Sequence, residues 1–295
     1  MALLAGVLAP ALAGCGLVPN RGSSAVSLTI TRDFGARRVA DVEQSHVVGS
    51  ETLLGLLQQR FPVQMAGNAV KAIDGVKATR GSRWFLFVNG SASGIGPRNN
   101  RTVVHAGDRI WWDLQANRAV AQTVVGSFPE PFVHGVGGKR LPVTLECAPD
   151  VTVACNRVAN ALAAVGVPAP RQLLGTGSGT STLGIVVGTW TDVEGEIATL
   201  MIAHGPGSSG IFARFAGPDG RTLELLDSNA RVARRLTDAG LIAVTGNVKS
   251  VPTWFVTGTD VAGVSAAASA LTAARLRDHL AIAVQGTRDL PLPQP

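Results

Sequence analysis

Tyrosine is missing from the 295-residue chain, aromatic residues make up only 5%, and just four of the 26 basic residues are lysine: Lys71, Lys77, Lys139 and Lys249. Hydrophobic residues reach 46%, enough for two cores, but aliphatic side chains and alanine must fill most of that volume. No stretch holds about 20 uninterrupted apolar residues, which argues against a permanent membrane-spanning helix. No Gly-x-Ser-x-Gly is present, so the nucleophile elbow of serine hydrolases is missing. The five histidines (His46, His105, His134, His204 and His279) are scattered, with no pair at i, i+4 and no metal-ligand set. No basic run interleaves with aromatics, which leaves nucleic-acid binding without support. The loop from Gly175 to Ser181 lacks the lysine of a phosphate loop and reads as a connector. Paired carboxylates can still meet in space, so an uncharacterised hydrolase stays a minor alternative to a non-enzymatic role.

Cysteine is scarce too. There are three: Cys15, Cys147 and Cys155. Residues 1–14 are small and apolar and end in Leu12-Ala13-Gly14-Cys15, a tetrad that resembles the lipobox of bacterial lipoproteins. The resemblance implies a signal peptide over residues 1–15, cleavage before Cys15, lipidation of its thiol and residence on the outer face of the cytoplasmic membrane. A buried N-terminal helix is the alternative. No Lys or Arg precedes the apolar run, a departure from the usual positive start, and the expected translation start lies upstream of Met1. Residues 16–25 read as a flexible tether. Cys147 and Cys155, eight residues apart, suit a local disulfide in an oxidising compartment, with two buried thiols as the alternative.

Residues 26–115 form the expected first domain, with a charge balance of +4, and residues 140–286 the second, which is neutral. In the first, Val26, Leu28 and Ile30 alternate with Ser27, Thr29 and Thr31, the pattern of a half-buried strand with a solvent face. A second strand is expected over residues 38–42. Ser50 is the expected N-cap of a helix whose apolar face holds Leu53, Leu54, Leu57 and Phe61, ended by Pro62. Strands over residues 70–73, 84–88 and 110–114 follow, with a tight turn at Asn89-Gly90 and another at Gly107-Asp108.

That order, strand, strand, helix, then strands, is a β-grasp order. Ala72-Ile73-Asp74-Gly75-Val76, Trp84-Phe85-Leu86-Phe87-Val88-Asn89-Gly90 and Ala106-Gly107-Asp108-Arg109-Ile110-Trp111-Trp112 resemble the bacterial relatives of the C-terminal β-domain of transcobalamin and intrinsic factor. Gly49-Ser50-Glu51-Thr52-Leu53-Leu54 matches that family's helix start loosely. The resemblance covers about a third of the chain. It implies a domain that caps cobalamin in the vitamin carriers, where a separate helical barrel, absent here, holds the other side.

Three tryptophans bear on this. Trp84 is expected in the core or on a ligand. Trp111 and Trp112 are adjacent in a strand and must face opposite sides, so one should be core and the other more exposed, free to stack on a ring or sugar. The loop over residues 91–101 carries Arg98 and Arg101 and is a candidate to close over a ligand, with Asn89 at its base.

Residues 116–139 read as a linker packed across the first domain. The second domain reads as alternating strands and helices. Strands are expected over residues 142–146, 183–188, 211–215, 222–226, 241–245, 254–257 and, last, 280–284. Helices are expected over residues 155–165, 192–202 and 231–239, with another capped by Asp260 whose apolar face carries Val261, Val264, Ala268 and Leu271. Residues 287–295 are a tail. The fold class is therefore α+β and α/β: an N-terminal β-grasp-like domain followed by a mixed-sheet α/β domain. Trp254, at a strand–helix junction, is either part of a functional edge or simply next to a good helix start. The leading functional expectation is a lipid-anchored binding protein for a small cofactor-like solute, cobalamin being one candidate, with an interdomain pocket lined by Trp and Arg. The alternative is a docking module for a transporter or wall component, showing a flat apolar patch.

Overall fold

The structure, a computed structural model, describes residues 24–47, 49–93, 102–116, 121–177, 179, 181–217, 219–246 and 251–295. Cys15, Arg98 and Arg101 lie outside the described residues.

The alternation from Val26 becomes β1 (Val26–Arg32), paired antiparallel with β2 (Arg37–Gln44). The helix α1 (Leu53–Arg60) starts two residues later than its sequence suggests. Thr52, not Ser50, is the N-cap, and its hydroxyl accepts from the Gly55 N–H at 3.0 Å. Its buried face is Leu53, Leu56 and Leu57, with Leu54 only half-buried. The strands β3 (Val63–Ala66), β4 (Ala69–Ile73) and β5 (Val76–Lys77) form a small antiparallel sheet. A longer sheet adds β6 (Ser82–Val88), β7 (Ser91–Ser93) and β8 (Arg109–Ala116), in the order β2-β1-β8-β6-β7. Asn89 and Gly90, at φ 50° and 79°, make the turn joining β6 to β7. The central pair β1 and β8 runs parallel, and the other pairings are antiparallel. One helix lies across one face, which is the β-grasp arrangement. Val26, Leu28, Ile30, Leu86, Ile110 and Trp112 pack with α1 in a single core.

The second domain is built on β9 (Val143–Cys147), β10 (Arg171–Leu173), β11 (Leu183–Thr189), β15 (Ala239–Thr245), β16 (Thr253–Gly258), β17 (Ala281–Gln285) and β18 (Arg288–Leu292). Their order is β10-β9-β11-β16-β15-β17-β18, parallel among the first four and antiparallel beyond. Between them come α2 (Thr152–Ala164), α3 (Trp190–Val193), α4 (Leu200–Ala203), α5 (Pro206–Ser209), β12 (Ala213–Ala216), β13 (Thr222–Leu226), β14 (Val232–Leu236), α6 (Val261–Ala270) and α7 (Ala273–Leu276). The strands read as continuous apolar runs because both faces of the sheet are covered. Leu145, Ile185, Val187 and Val256 face one side, in a core with α2 and α6; Val186, Leu241, Ala243 and Phe255 face the other.

Four expectations change in this domain. The helix over residues 192–202 is broken into α3, a 3-10 turn (Ile197–Thr199) and α4, interrupted where Gly195 separates Glu194 from Glu196. The helix over residues 231–239 is a strand, β14. Its Val232 and Leu236 have helical spacing, but Arg235 reaches across to Glu224 of β13, which Arg214 of β12 holds from the other side. On α6, Val261 is 48% exposed, and the buried stripe is Val264, Ala267 and Ala268. Residues 287–295 are no tail: β18 closes the sheet edge, and Gln294 bridges to Asp227.

The linker also differs. Residues 121–139 do not cross the first domain alone but fill the seam between the two. Val124 N–H donates to the Gly90 carbonyl of the first domain, while Val125 N–H donates to Leu280 of the second. Phe128 and Phe132 sink into the second domain's core against Trp254.

Candidate ligand-binding cleft

Ser27, Thr29 and Thr31 look like a solvent stripe in the sequence. They are instead the face of the first sheet turned toward the second domain, and Thr31 is fully buried. Strand register lays out three rows on that face: Glu43–Ser27–Arg109, Asp41–Thr29–Trp111, and Arg38–Thr31–Asp113. Opposite stand the end of α2, α7 and the residues Arg277 and Asp278. The connector supplies Ser127, Glu130 and His134. With the first two rows these enclose a cleft of ≈ 800 Å³, and the third row lies beside it in the seam.

Two reciprocal ion pairs bridge the seam side by side. Arg38 donates through Nε to Asp278 at 2.9 Å, and Arg277 pairs with Asp41. Each domain contributes one arginine and one aspartate. Between them the backbones touch. Gly35 sits so close that a Cβ there would lie 1.7 Å from the Asp278 carbonyl oxygen, and its φ of 82° already favours glycine.

The buried acids on this face are unusual. Glu130 accepts from the His134 N–H at 2.8 Å and meets the His134 Nδ1 at 2.6 Å; burial raises its carboxyl, against the pull of those contacts. Asp113 ends a chain in which Trp111 Nε1 donates to Thr31 Oγ1 at 2.7 Å and that hydroxyl donates to Asp113 Oδ1 at 2.6 Å. Gly35 N–H donates to the same oxygen at 3.1 Å, while Oδ2 is buried without a partner. Burial pushes the Asp113 carboxyl up to about 6. Arg109 is more than half buried and its guanidinium is pushed below its ordinary value by that burial.

The residues singled out from sequence fare differently. Trp84 and Trp112 lie in the core under α1, and Trp254 lies in the second domain's core. Trp111 points the other way, as expected of neighbours in a strand, but it too is buried, at 4% exposed. The expectation of one exposed tryptophan is therefore corrected: the sheet is covered on both faces, and only an edge of Trp111 reaches the cleft. Asn89 is a structural residue. Its amide donates to Asp108 Oδ1 and the Gly135 carbonyl, both at 2.9 Å, and accepts from the Arg109 N–H at 2.8 Å. Cys147 and Cys155 are joined as a disulfide. Sequence reasoning missed Asp41, Glu43, Glu130, His134, Arg277 and Asp278. Only Pro129-Glu130-Pro131 offered a signal, an acid held in a stiff apolar stretch.

Among the described residues, no group of three His, Cys, Asp or Glu side chains is placed to hold a metal ion, and no helix is long and apolar enough to cross a membrane. Residues 50–116 match a family described as a domain of unknown function, DUF4430. The match runs from just before α1 to the end of β8, leaving β1, β2 and the whole second domain outside it. No curated protein matches the chain.

Proposed function

We propose that this chain is a lipid-anchored, extracytoplasmic binding protein whose interdomain cleft holds a small cofactor-like solute. The observation that carries the reading is the cleft of ≈ 800 Å³, walled by both domains and floored by the connector. Ligand sites are commonly concave, of this volume, and set at domain interfaces. The Trp111 edge and Arg109 match the tryptophan and arginine lining such a site calls for. The Leu12-Ala13-Gly14-Cys15 tetrad supports an anchor at Cys15, and the Cys147–Cys155 bond suits an oxidising compartment. The likeness of the first domain to the transcobalamin relatives keeps cobalamin among the candidates. It is larger than the drug-sized molecules such a volume suits, so it would enter only in part. Docking to a transporter is the second reading, supported by the exposed apolar side chains Leu173 and Ile197.

The test has two arms. Cys15→Ser should abolish incorporation of labelled palmitate and release the protein from the membrane fraction; retention of both would end the anchor reading. Cobalamin and a panel of smaller cofactors are then screened by thermal shift. A solute at a hundred times its Kd adds about 2.7 kcal/mol of stability, visible as a clear rise in Tm. No rise with any solute would leave the docking reading in its place.

A further inference from the structure

Resting on that reading, we infer that the cleft recognises an anionic group, a carboxylate or phosphate, through the guanidinium of Arg109. Most other charges of the seam are already engaged, Arg277 with Asp41, Arg38 with Asp278, and Glu130 with His134, which leaves Glu43 as the unpaired acid of the lining among the described residues. Arg109 differs. Its Nη1 donates to the Phe128 carbonyl at 3.0 Å, and among the described residues no carboxylate lies within the 4.0 Å of an ion pair. A guanidinium offers five N–H donors in a planar fork, so four remain for the oxygens of a carboxylate or phosphate.

Its surroundings fit that ligand. Arg109 is held rigidly from both sides, by the Phe128 carbonyl on its head and by Asn89 on its backbone N–H. Ser27 stands beside it in register, and Ser127 lines the same cleft. Trp111, two residues along the same strand face, gives an apolar edge for the body of the ligand. The burial that lowers the Arg109 guanidinium is what a bound anion would offset. Glu43 lies two strands away, about 10 Å by strand spacing. It opposes a second negative charge at that end, so the fitted ligand carries its anionic group at one end only.

The experiment is a tryptophan-fluorescence titration of the full chain, backed by calorimetry. The probes are acetate, benzoate, inorganic phosphate and phenyl phosphate, with benzamide as the neutral match for benzoate. Saturable binding of a carboxylate or a phosphate probe is expected, with benzamide at least tenfold weaker. Whichever of benzoate and phenyl phosphate binds tighter tells the two chemistries apart. Arg109→Gln should weaken the anion roughly tenfold to a hundredfold, the range of charge-assisted hydrogen bonds, and Arg109→Lys should restore part of it. Trp111→Phe should lose the fluorescence change while calorimetry still reports binding. Glu43→Gln, on an exposed strand position, should tighten the anion about twofold; it carries the test if the Arg109 variants do not fold. Equal affinity for benzamide, or unchanged affinity in Arg109→Gln or in Glu43→Gln, overturns the inference. If a neutral solute from the cofactor panel perturbs Trp111 while no anion does, the binding-protein reading stands and this one falls. If nothing perturbs it, both fall.

Discussion

Replacing Asp113 by asparagine should make the protein more stable at neutral pH and flatten its pH profile. The carboxyl is fully buried, accepts from Thr31 and Gly35 through one oxygen, and leaves the other without a partner. Burial raises it from 3.8 to about 6. A folded value above the unfolded one means the native state holds the proton more tightly. Its contribution is therefore complete below about pH 4 and is lost as pH rises through 6. About two pH units at 1.4 kcal/mol each give a cost of about 3 kcal/mol at neutral pH. Asparagine keeps the acceptor for Thr31 and Gly35, and its amide can donate toward the buried, unpartnered Oε1 of Gln115, whose side chain also bears on this carboxyl. Urea unfolding of both proteins between pH 4.5 and 7.5 isolates the effect. Glu130 and Glu146 are raised in the same direction but are common to both and cancel. The gap should widen by about 2 kcal/mol across that range. Parallel profiles would refute the assignment of the shift to this carboxyl.

Other expectations follow from the same seam and its neighbours. Gly35→Ala should cost about 2 kcal/mol or more, because its Cβ meets the Asp278 carbonyl and its φ is positive; thermal melting would show it, and an unchanged Tm would mean that the backbones do not touch. Arg38→Ala should cost only about 0.5–1 kcal/mol, an effect that fades in 1 M salt, since Arg38 is 41% exposed. Reducing Cys147–Cys155 should lower stability by about 2.5 kcal/mol in the chain-entropy model, readable as a shift in urea midpoint.

Local rules carried much of the fold. The strand from Val26, the Asn89-Gly90 turn and the Asp260 cap are each decided within a few residues, and each element appears where it was read. What failed depends on partners far away in sequence. Val232 and Leu236 have helical spacing, yet Glu224 pulls Arg235 into a strand. Ser27, Thr29 and Thr31 are polar because they face a hydrogen-bonded seam and a cleft, and nothing within the strand distinguishes that from water. The same blindness hid the site. Arg109 lay inside a quoted motif, but Asp41, Arg277 and Asp278 meet only because two domains close on each other.

Among the described residues β1 comes first, flanked by β2 on one side and β8 on the other. A pull applied at Ser24 along that strand loads two hydrogen-bond ladders at once, in shear. Unzipping one bond at a time would require force across the sheet, and a pull along the strand does not supply it. The first domain is thus built to resist a load applied along its first described strand.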